Sequence, residues 1–341
     1  MTDRGSPPRL LAAGYAALDT ICHEGRIAHR AGGTATNVAT ILSWLGWETQ
    51  LVAVIGDDPA GRRLRAELKK IGVGLDLLSC IAGARTPQII HEIESGMHRF
   101  LFRCPGCGRR FPRSRPLSKA RAAEVLDQLG DVDVFFFDRA NPGTLALAES
   151  LRDRGALVVF EPSVPAQSPA MQRAAGLAHL IKFSDEGLSA LWSKLPAHAV
   201  DQVQVVTRGE HGAVARIGGA SWVESIAFAA ETVDPCGAGD WTTAGMLYEL
   251  DGNKTFDEYE LVESLRLGQA LAALNCEWPG ARGLLEHTTP GEALSDATSL
   301  IRARPRRRPN SSSRSRPRRS GDKCDGSQDT NVTAPESTRK T

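Results

Sequence analysis

Seven cysteines in 341 residues are too few and too scattered for a disulfide-stapled scaffold. They predict reduced thiols and a cytoplasmic protein. Long apolar runs are missing as well. The run Leu10 to Leu18 has nine residues, whereas a membrane-spanning helix needs about 20. It passes straight into Asp19 without a small-residue cleavage site, so it reads as a buried first strand and its turn, not as a signal peptide. No membrane partner is expected. Net charge is nearly absent too, at +1 from 41 Lys and Arg against 40 Asp and Glu. Residues 301–341 hold twelve basic and four acidic side chains, and that +8 leaves −7 for residues 1–300. The body is therefore mildly acidic, and the basic balance sits in the tail. No repeat period is evident.

Apolar residues, at 41%, are sufficient for a sizeable core. Strands are predicted at 9–14, 50–55, 132–138, 156–160, 179–183, 202–207 and 213–217. Helices are predicted at 33–46, 59–71, 145–154, 185–194, 237–250 and 257–274. Val134-Phe135-Phe136-Phe137 and Leu157-Val158-Val159-Phe160 are apolar on both faces, as parallel strands covered by helices on each side must be. This alternation predicts an α/β fold with a doubly wound, mostly parallel sheet and helices on both faces. Between 86 and 103 the period changes to two around Ser95-Gly96, which predicts a hairpin in a small β lid. The expected domain covers 1–300, with lid segments at about 20–31 and 86–116. Beyond it, 301–341 reads as a disordered Arg/Ser/Pro-rich tail, with nine Arg in residues 302–319. Such a tail can hold nucleic acid nonspecifically, without touching the active site.

Chemistry concentrates in Asp234-Pro235-Cys236-Gly237-Ala238-Gly239-Asp240, followed by the helical pattern Trp241-Thr242-Thr243-Ala244-Gly245-Met246-Leu247. The glycines let the main chain pass close to a bulky charged group. Amides at a helix start form an anion-binding hollow. A carboxylate at its rim can take a proton from a hydroxyl attacking phosphorus. That combination points to phosphoryl transfer to an alcohol. The competing explanation is a strand-to-helix turn whose Asp is favoured by the helix dipole. A second glycine motif, Gly32-Gly33-Thr34-Ala35-Thr36-Asn37, leads through Leu45-Gly46 to Val54-Ile55-Gly56-Asp57-Asp58 and Gly61. Arg139 follows the carboxyl end of a parallel strand, the edge where ligands bind in open α/β sheets, and is a candidate substrate contact.

With both motifs in this order, the chain resembles the ribokinase-type (PfkB) carbohydrate kinases over about residues 9–285. The resemblance implies an ATP-dependent phosphotransferase that phosphorylates a hydroxyl of a sugar, a sugar-like molecule or a nucleoside. It makes Asp240 the base and Gly237, Ala238 and Gly239 the anion hole. It makes Asp19, Gly32, Gly33 and Asn37 the acceptor contacts, with Thr207, Arg208, Gly209 and Gly212 along the nucleotide phosphates. A plain hairpin turn accounts for the last two glycines equally well. Asn275 to Gly283 resembles the segment that borders adenine and a monovalent-cation (K+) site, with Asp234 as the side-chain ligand. Where the family carries Asn-x-x-Glu to organise Mg2+, this chain has Ser184-Asp185-Glu186-Gly187, leaving Asp185 or Glu186 to act through water. Glu161-Pro162-Ser163 stands where the family often has an Asp-Pro-Asn-like turn. These departures keep a second reading open, a non-catalytic nucleotide or sugar sensor on the kinase fold. The short first lid segment favours an unphosphorylated acceptor.

One motif stands outside that resemblance. Cys104-Pro105-Gly106-Cys107-Gly108 is a knuckle of the zinc-ribbon type, followed by Arg109, Arg110, Arg113 and Arg115. A structural zinc needs four ligands. Cys22 and His23, or the same knuckle of a second subunit, could complete the set, since lids in the resembled family often pair across a homodimer. The alternatives are a redox pair or two free thiols in a turn. The arginine run reads most simply as a solvated surface.

Overall fold

The computed structural model describes residues 6–94, 97–162, 168–185, 201–255 and 257–303. Strand β1 (Arg9–Ala13) pairs in parallel with β4 (Glu48–Val52) on one side and β9 (Val134–Phe137) on the other. The sheet continues in parallel through β10 (Leu157–Phe160), β11 (Leu180–Ser184) and β12 (Val203–Thr207). Antiparallel β13 (Ala213–Ile217) and β14 (Val223–Ser225) close it, giving the order β14-β13-β12-β11-β10-β9-β1-β4.

Successive side chains on a strand point to opposite faces, and this splits the core in two. Leu10, Ala12, Val134, Phe136, Leu157 and Val159 pack against α1 (Thr34–Trp44), α2 (Pro59–Ile71), α6 (Ala238–Leu250), α7 (Glu258–Cys276) and α8 (Pro290–Ala303). Leu11, Ala13, Phe135, Phe137, Val158 and Phe160 pack against α3 (Lys119–Gln128), α4 (Pro142–Asp153) and α5 (Pro169–Leu177). Both faces of the sheet are thus buried under helices, as the double-sided apolar runs require.

Several elements differ from the sequence expectation. The strand expected at 50–55 breaks at Ala53, and β5 (Val54–Gly56) pairs with β6 (Ser79–Ile81) in a separate sheet. The segment 20–31 is a second hairpin. Strands β2 (Ala17–His23) and β3 (Arg26–Gly32) are joined at Glu24-Gly25, where both residues have positive φ (49° and 73°). That backbone matches the twist of a two-residue hairpin turn. With β7 (Gln88–Glu94) and β8 (Met97–Leu101) it forms the lid sheet, ordered β3-β2-β7-β8. Helix α4 starts three residues before the expected Leu145, because Asn141 and Thr144 form a reciprocal capping box. Helices α3 and α5 were not predicted; each opens on a serine whose hydroxyl accepts a first-turn amide, Ser118 and Ser168. The helix expected at 185–194, apart from Asp185, lies outside the described residues, as do Glu186, Ser163, the Ser95-Gly96 turn and the tail from 304. Among the described residues no helix is long and apolar enough to cross a membrane.

Candidate active site

The site forms where the N-termini of α1 and α6 face each other. Gly237 precedes α6 with φ 80°, and a methyl there would lie 2.4 Å from the Ala281 carbonyl oxygen. Only glycine fits this turn. The loop is buttressed from behind by Asn275, whose Nδ2 donates to the Cys236 and Gly280 carbonyls and whose Oδ1 accepts from Leu284 N. Trp241 Nε1 donates to the Ala281 carbonyl at 3.0 Å. Of the three amides expected to form the anion hole, that of Ala238 donates to the Pro235 carbonyl at 3.2 Å, leaving Gly237 and Gly239 better placed.

Asp240 lies in the first turn of α6, 8% exposed, and accepts a 2.6 Å hydrogen bond from Asn37 Nδ2 on α1. The two glycine motifs, 203 residues apart, therefore meet at one carboxylate. Burial, and then the Glu161 charge, push the Asp240 carboxyl up to about 7, against the Asn37 hydrogen bond and the Lys182 ammonium. Asp19, at the base of the lid on β2, is also pushed up to about 7, chiefly by burial and against the Arg282 guanidinium. A methyl on Gly32 would lie 1.9 Å from Asp19 Oδ2, so the absence of a side chain there makes room for the carboxylate. Asp19 Oδ1 and Asn37 Oδ1 are buried acceptors without a hydrogen-bond partner, and Arg282 Nη1 is a buried donor without one. Asp19 and Asp240 share a neighbourhood. Burial, then Asp234, Asp19 and Asp240, raise the Cys236 thiol well above its ordinary value.

Three residues that sequence reasoning missed, Lys182, Asp138 and Arg282, complete the site together with Glu161, which it had singled out only as part of a turn. Lys182, on β11, is 1% exposed and pairs with Glu161, whose other oxygen accepts from Thr243 Oγ1 of α6 at 2.6 Å. Lys182 Nζ lies 3.3 Å, and Glu161 Oε1 3.6 Å, from where a methyl on Gly239 would sit, so this pair borders the expected anion hole. Asp138 closes β9, and its Oδ1 accepts from Tyr15 N at 3.0 Å. Arg282 Nη2 donates to Glu67 at 2.8 Å and to the Ala31 carbonyl. The available signal was a charged residue inside an apolar run, as in Leu180-Ile181-Lys182-Phe183.

The other expected contacts take these positions. Arg139 stacks over the Tyr15 ring at 4.9 Å and donates to the Asp138 carbonyl at 3.1 Å. Arg208 donates to Glu224 at 2.6 Å across the antiparallel edge, so its guanidinium is already partnered by a carboxylate. Thr207 Oγ1 donates to the Phe183 carbonyl at 3.1 Å, and Gly209 and Gly212 bound a single 3-10 turn. Asp185 is exposed, one residue past the end of β11.

Asp234 is fully buried; burial pushes its carboxyl up, but the nearby His91 imidazole and hydrogen bonds from the Cys236 and Gly280 amides outweigh this and hold it below its ordinary value. His91 Nε2 and His98 Nδ1 each lie 3.5 Å from one of its oxygens. Potassium takes oxygen donors, as hard cations do. The neighbours facing this carboxylate are two imidazoles and two amides, so the set does not fit K+ and no step below runs through a monovalent cation. A cleft of about 1130 Å3 between the lid, α2 and residues 279–287 has Asp19, His91 and Arg282 in its wall but not Asp240. The site is accordingly defined by its hydrogen bonds and not by that cleft.

A mostly parallel sheet flanked by helices, a β lid and a carboxylate facing a glycine-rich helix start define the ribokinase-like class of kinase folds. Residues 11–288 match the pfkB family of carbohydrate kinases, and the chain belongs to that family and is an enzyme of this kind. A fructokinase from Klebsiella pneumoniae is 27% identical over 286 residues, covering 77% of this chain and 91% of the relative. A nucleoside kinase from Methanothermobacter thermautotrophicus is 26% identical, over 70% of this chain and 81% of its own. Among solved structures, aminoimidazole riboside kinase from Salmonella enterica, complexed with aminoimidazole riboside and an ATP analog, superposes with a TM-score of 0.68 at 21% identity. It covers 85% of this chain and 99% of that one.

Proposed function

We propose that the protein transfers the terminal phosphoryl group of ATP to a hydroxyl of an unphosphorylated sugar or nucleoside. The observation that carries this reading is the 2.6 Å hydrogen bond from Asn37 to Asp240. It brings the acceptor-side glycine motif to the carboxylate beside the phosphate hollow. The expectation of a sugar acceptor is supported by the buried acceptors of Asp19 and Asn37 and the buried donor of Arg282. A hydroxyl both donates and accepts, and so satisfies each of them. Arg282 is already neutralised by Glu67, which disfavours an acceptor that carries its own phosphate.

Asp240 takes the hydroxyl proton as the oxygen attacks phosphorus. A carboxyl raised toward neutrality is better matched to that task than an ordinary one. The amides of Gly237 and Gly239 and the Lys182 ammonium stabilise charge on the transferring group. Lys182 thereby adds a cation beside Gly239. Magnesium, when bound with the nucleotide, neutralises phosphate charge. Glu161 and Asp185 are its candidate holders, at the ends of β10 and β11. Because Lys182 and Thr243 already occupy the Glu161 oxygens, the fit is through metal-bound water, which Mg2+ readily keeps.

The test is ATP consumption across a panel of sugars and nucleosides. Asp240→Asn should lower turnover by about 10^2–10^4-fold with the fold retained. A variant that stays fully active overturns the mechanism. The sensor reading predicts instead thermal stabilisation by nucleotide or sugar without any product.

A further inference from the structure

The cysteine knuckle lies outside the machinery described above, directly after the edge strand of the lid. Its backbone is a tight turn that brings the two cysteines together. Cys104 N donates to the Arg109 carbonyl at 2.9 Å, Gly108 N to the Cys104 carbonyl at 2.8 Å, and Phe111 N to the Phe102 carbonyl at 3.0 Å, so residues 102–111 form a tight hairpin. Gly108 turns it with φ 68°. The amides of Cys107 and Gly106 and the thiol of Cys107 all point at Cys104 Sγ, so the turn gathers donors around that sulfur. Amides directed at a sulfur stabilise a thiolate, the form that ligates metal.

The pair is only half a site. Among the described residues the only group of three His, Cys, Asp or Glu within metal-binding reach of one another is His91, His98 and Asp234, which includes neither cysteine. Cys22 and His23, offered by the sequence as partners, are excluded by register. Cys22 pairs with Glu92, and Glu92 with Arg99, so Cys22 lies level with a residue five before Cys104 and two strands away. At about 3.3 Å per residue that is roughly 16 Å along the strand, against a zinc–sulfur bond of about 2.3 Å. Meanwhile Phe102, immediately before the knuckle, is 59% exposed, and among the described residues no strand pairs with the outer edge of β8 ahead of it. An exposed aromatic on an open edge is a contact surface for another chain.

We infer that Cys104 and Cys107 are half of a four-thiolate zinc site completed by the same two residues of a second copy of this chain, joining two lids edge to edge. Charge supports the same occupant. Five arginines lie between 103 and 115, and two such hairpins repel each other. Four thiolates around one zinc ion carry two net negative charges, which those arginines offset, so the contact forms with the metal and not without it. Each thiol gives up its proton on binding, so assembly weakens as pH falls.

The test takes the full-length chain through metal analysis and sedimentation. The expected result is half an equivalent of zinc per chain in a dimer that chelation converts to monomer and added zinc restores. Cobalt substitution should give the intense near-ultraviolet thiolate-to-metal band. Cys104→Ser/Cys107→Ser should lose both metal and dimer, whereas His98→Gln should keep both. Because chelation acts on the unaltered protein, the test does not depend on the double variant folding. Zinc-free protein that takes up none on addition, zinc bound by a monomer, a dimer indifferent to chelation, or zinc lost only in the His98 variant would each overturn the proposal.

Discussion

At the scale of single residues, the site is a balance of buried charges. Asp240 carries a carboxyl pushed up to about 7 from the ordinary 3.8. Between those values the folded protein holds a proton that the unfolded chain has lost. Stability from this group is therefore full below about pH 4, falls as pH rises, and levels off above about 7. Asp240→Asn removes the titration. Relative to the parent it should show no gain in stability near pH 4 and a gain of about 2–4 kcal/mol at pH 8, measured by denaturant unfolding. A difference that does not change with pH would show that the carboxyl titrates normally. The same shift predicts that kcat/KM falls as pH drops below about 7, because the base must be ionised to accept a proton. Removing Asp19 with Asn should weaken acceptor binding while leaving ATP affinity intact, read as a rise in the acceptor KM alone.

At the scale of elements, the site depends on two helix starts held by neighbours far apart in sequence. Gly237→Ala introduces a residue with positive φ and a clash with Ala281. It should destabilise by more than about 1–2 kcal/mol, the cost of a left-handed residue alone, and lower turnover as the amides move. The Lys182–Glu161 pair ties β11 to the end of β10. Lys182→Met leaves a buried carboxylate without its cation and should cost about 3–5 kcal/mol. Adding Glu161→Gln should recover most of that stability but not turnover, because the charge beside Gly239 is gone. Recovery of both, in a thermal melt and an ATPase-coupled assay, would make the pair purely structural.

At the scale of the whole molecule, pH acts through opposing groups. His179 is lowered to about 4, first by burial and then by Arg152 and Lys254. It adds stability as pH rises from about 4 to 6.5, against the trend of Asp19 and Asp240. The net melting curve should therefore be flatter than either contribution predicts, and His179→Gln should unmask a decline from pH 5 to 7. The double-sided apolar strands, the order of the two glycine motifs and the Asp240 helix start were all legible in the chain, because each is a local pattern with a local physical cause. The hairpin at 17–32 was not, because Glu24-Gly25 turns without the usual Asn-Gly or Asp-Gly signal. Nor were Lys182, Asp138 and Arg282, nor the pairing of Glu161 with Lys182. Each is an ordinary charged residue until strands and loops from distant parts of the chain enclose it and remove its water. What the sequence by itself determined is therefore the α/β architecture and the glycine-rich helix start with its carboxylate, through periodicity and glycine geometry. What only the tertiary structure decided is which charges face that carboxylate, which carry shifted protons, and which cysteine partners lie within reach. Those depend on distance and burial, and neither is written in the order of residues.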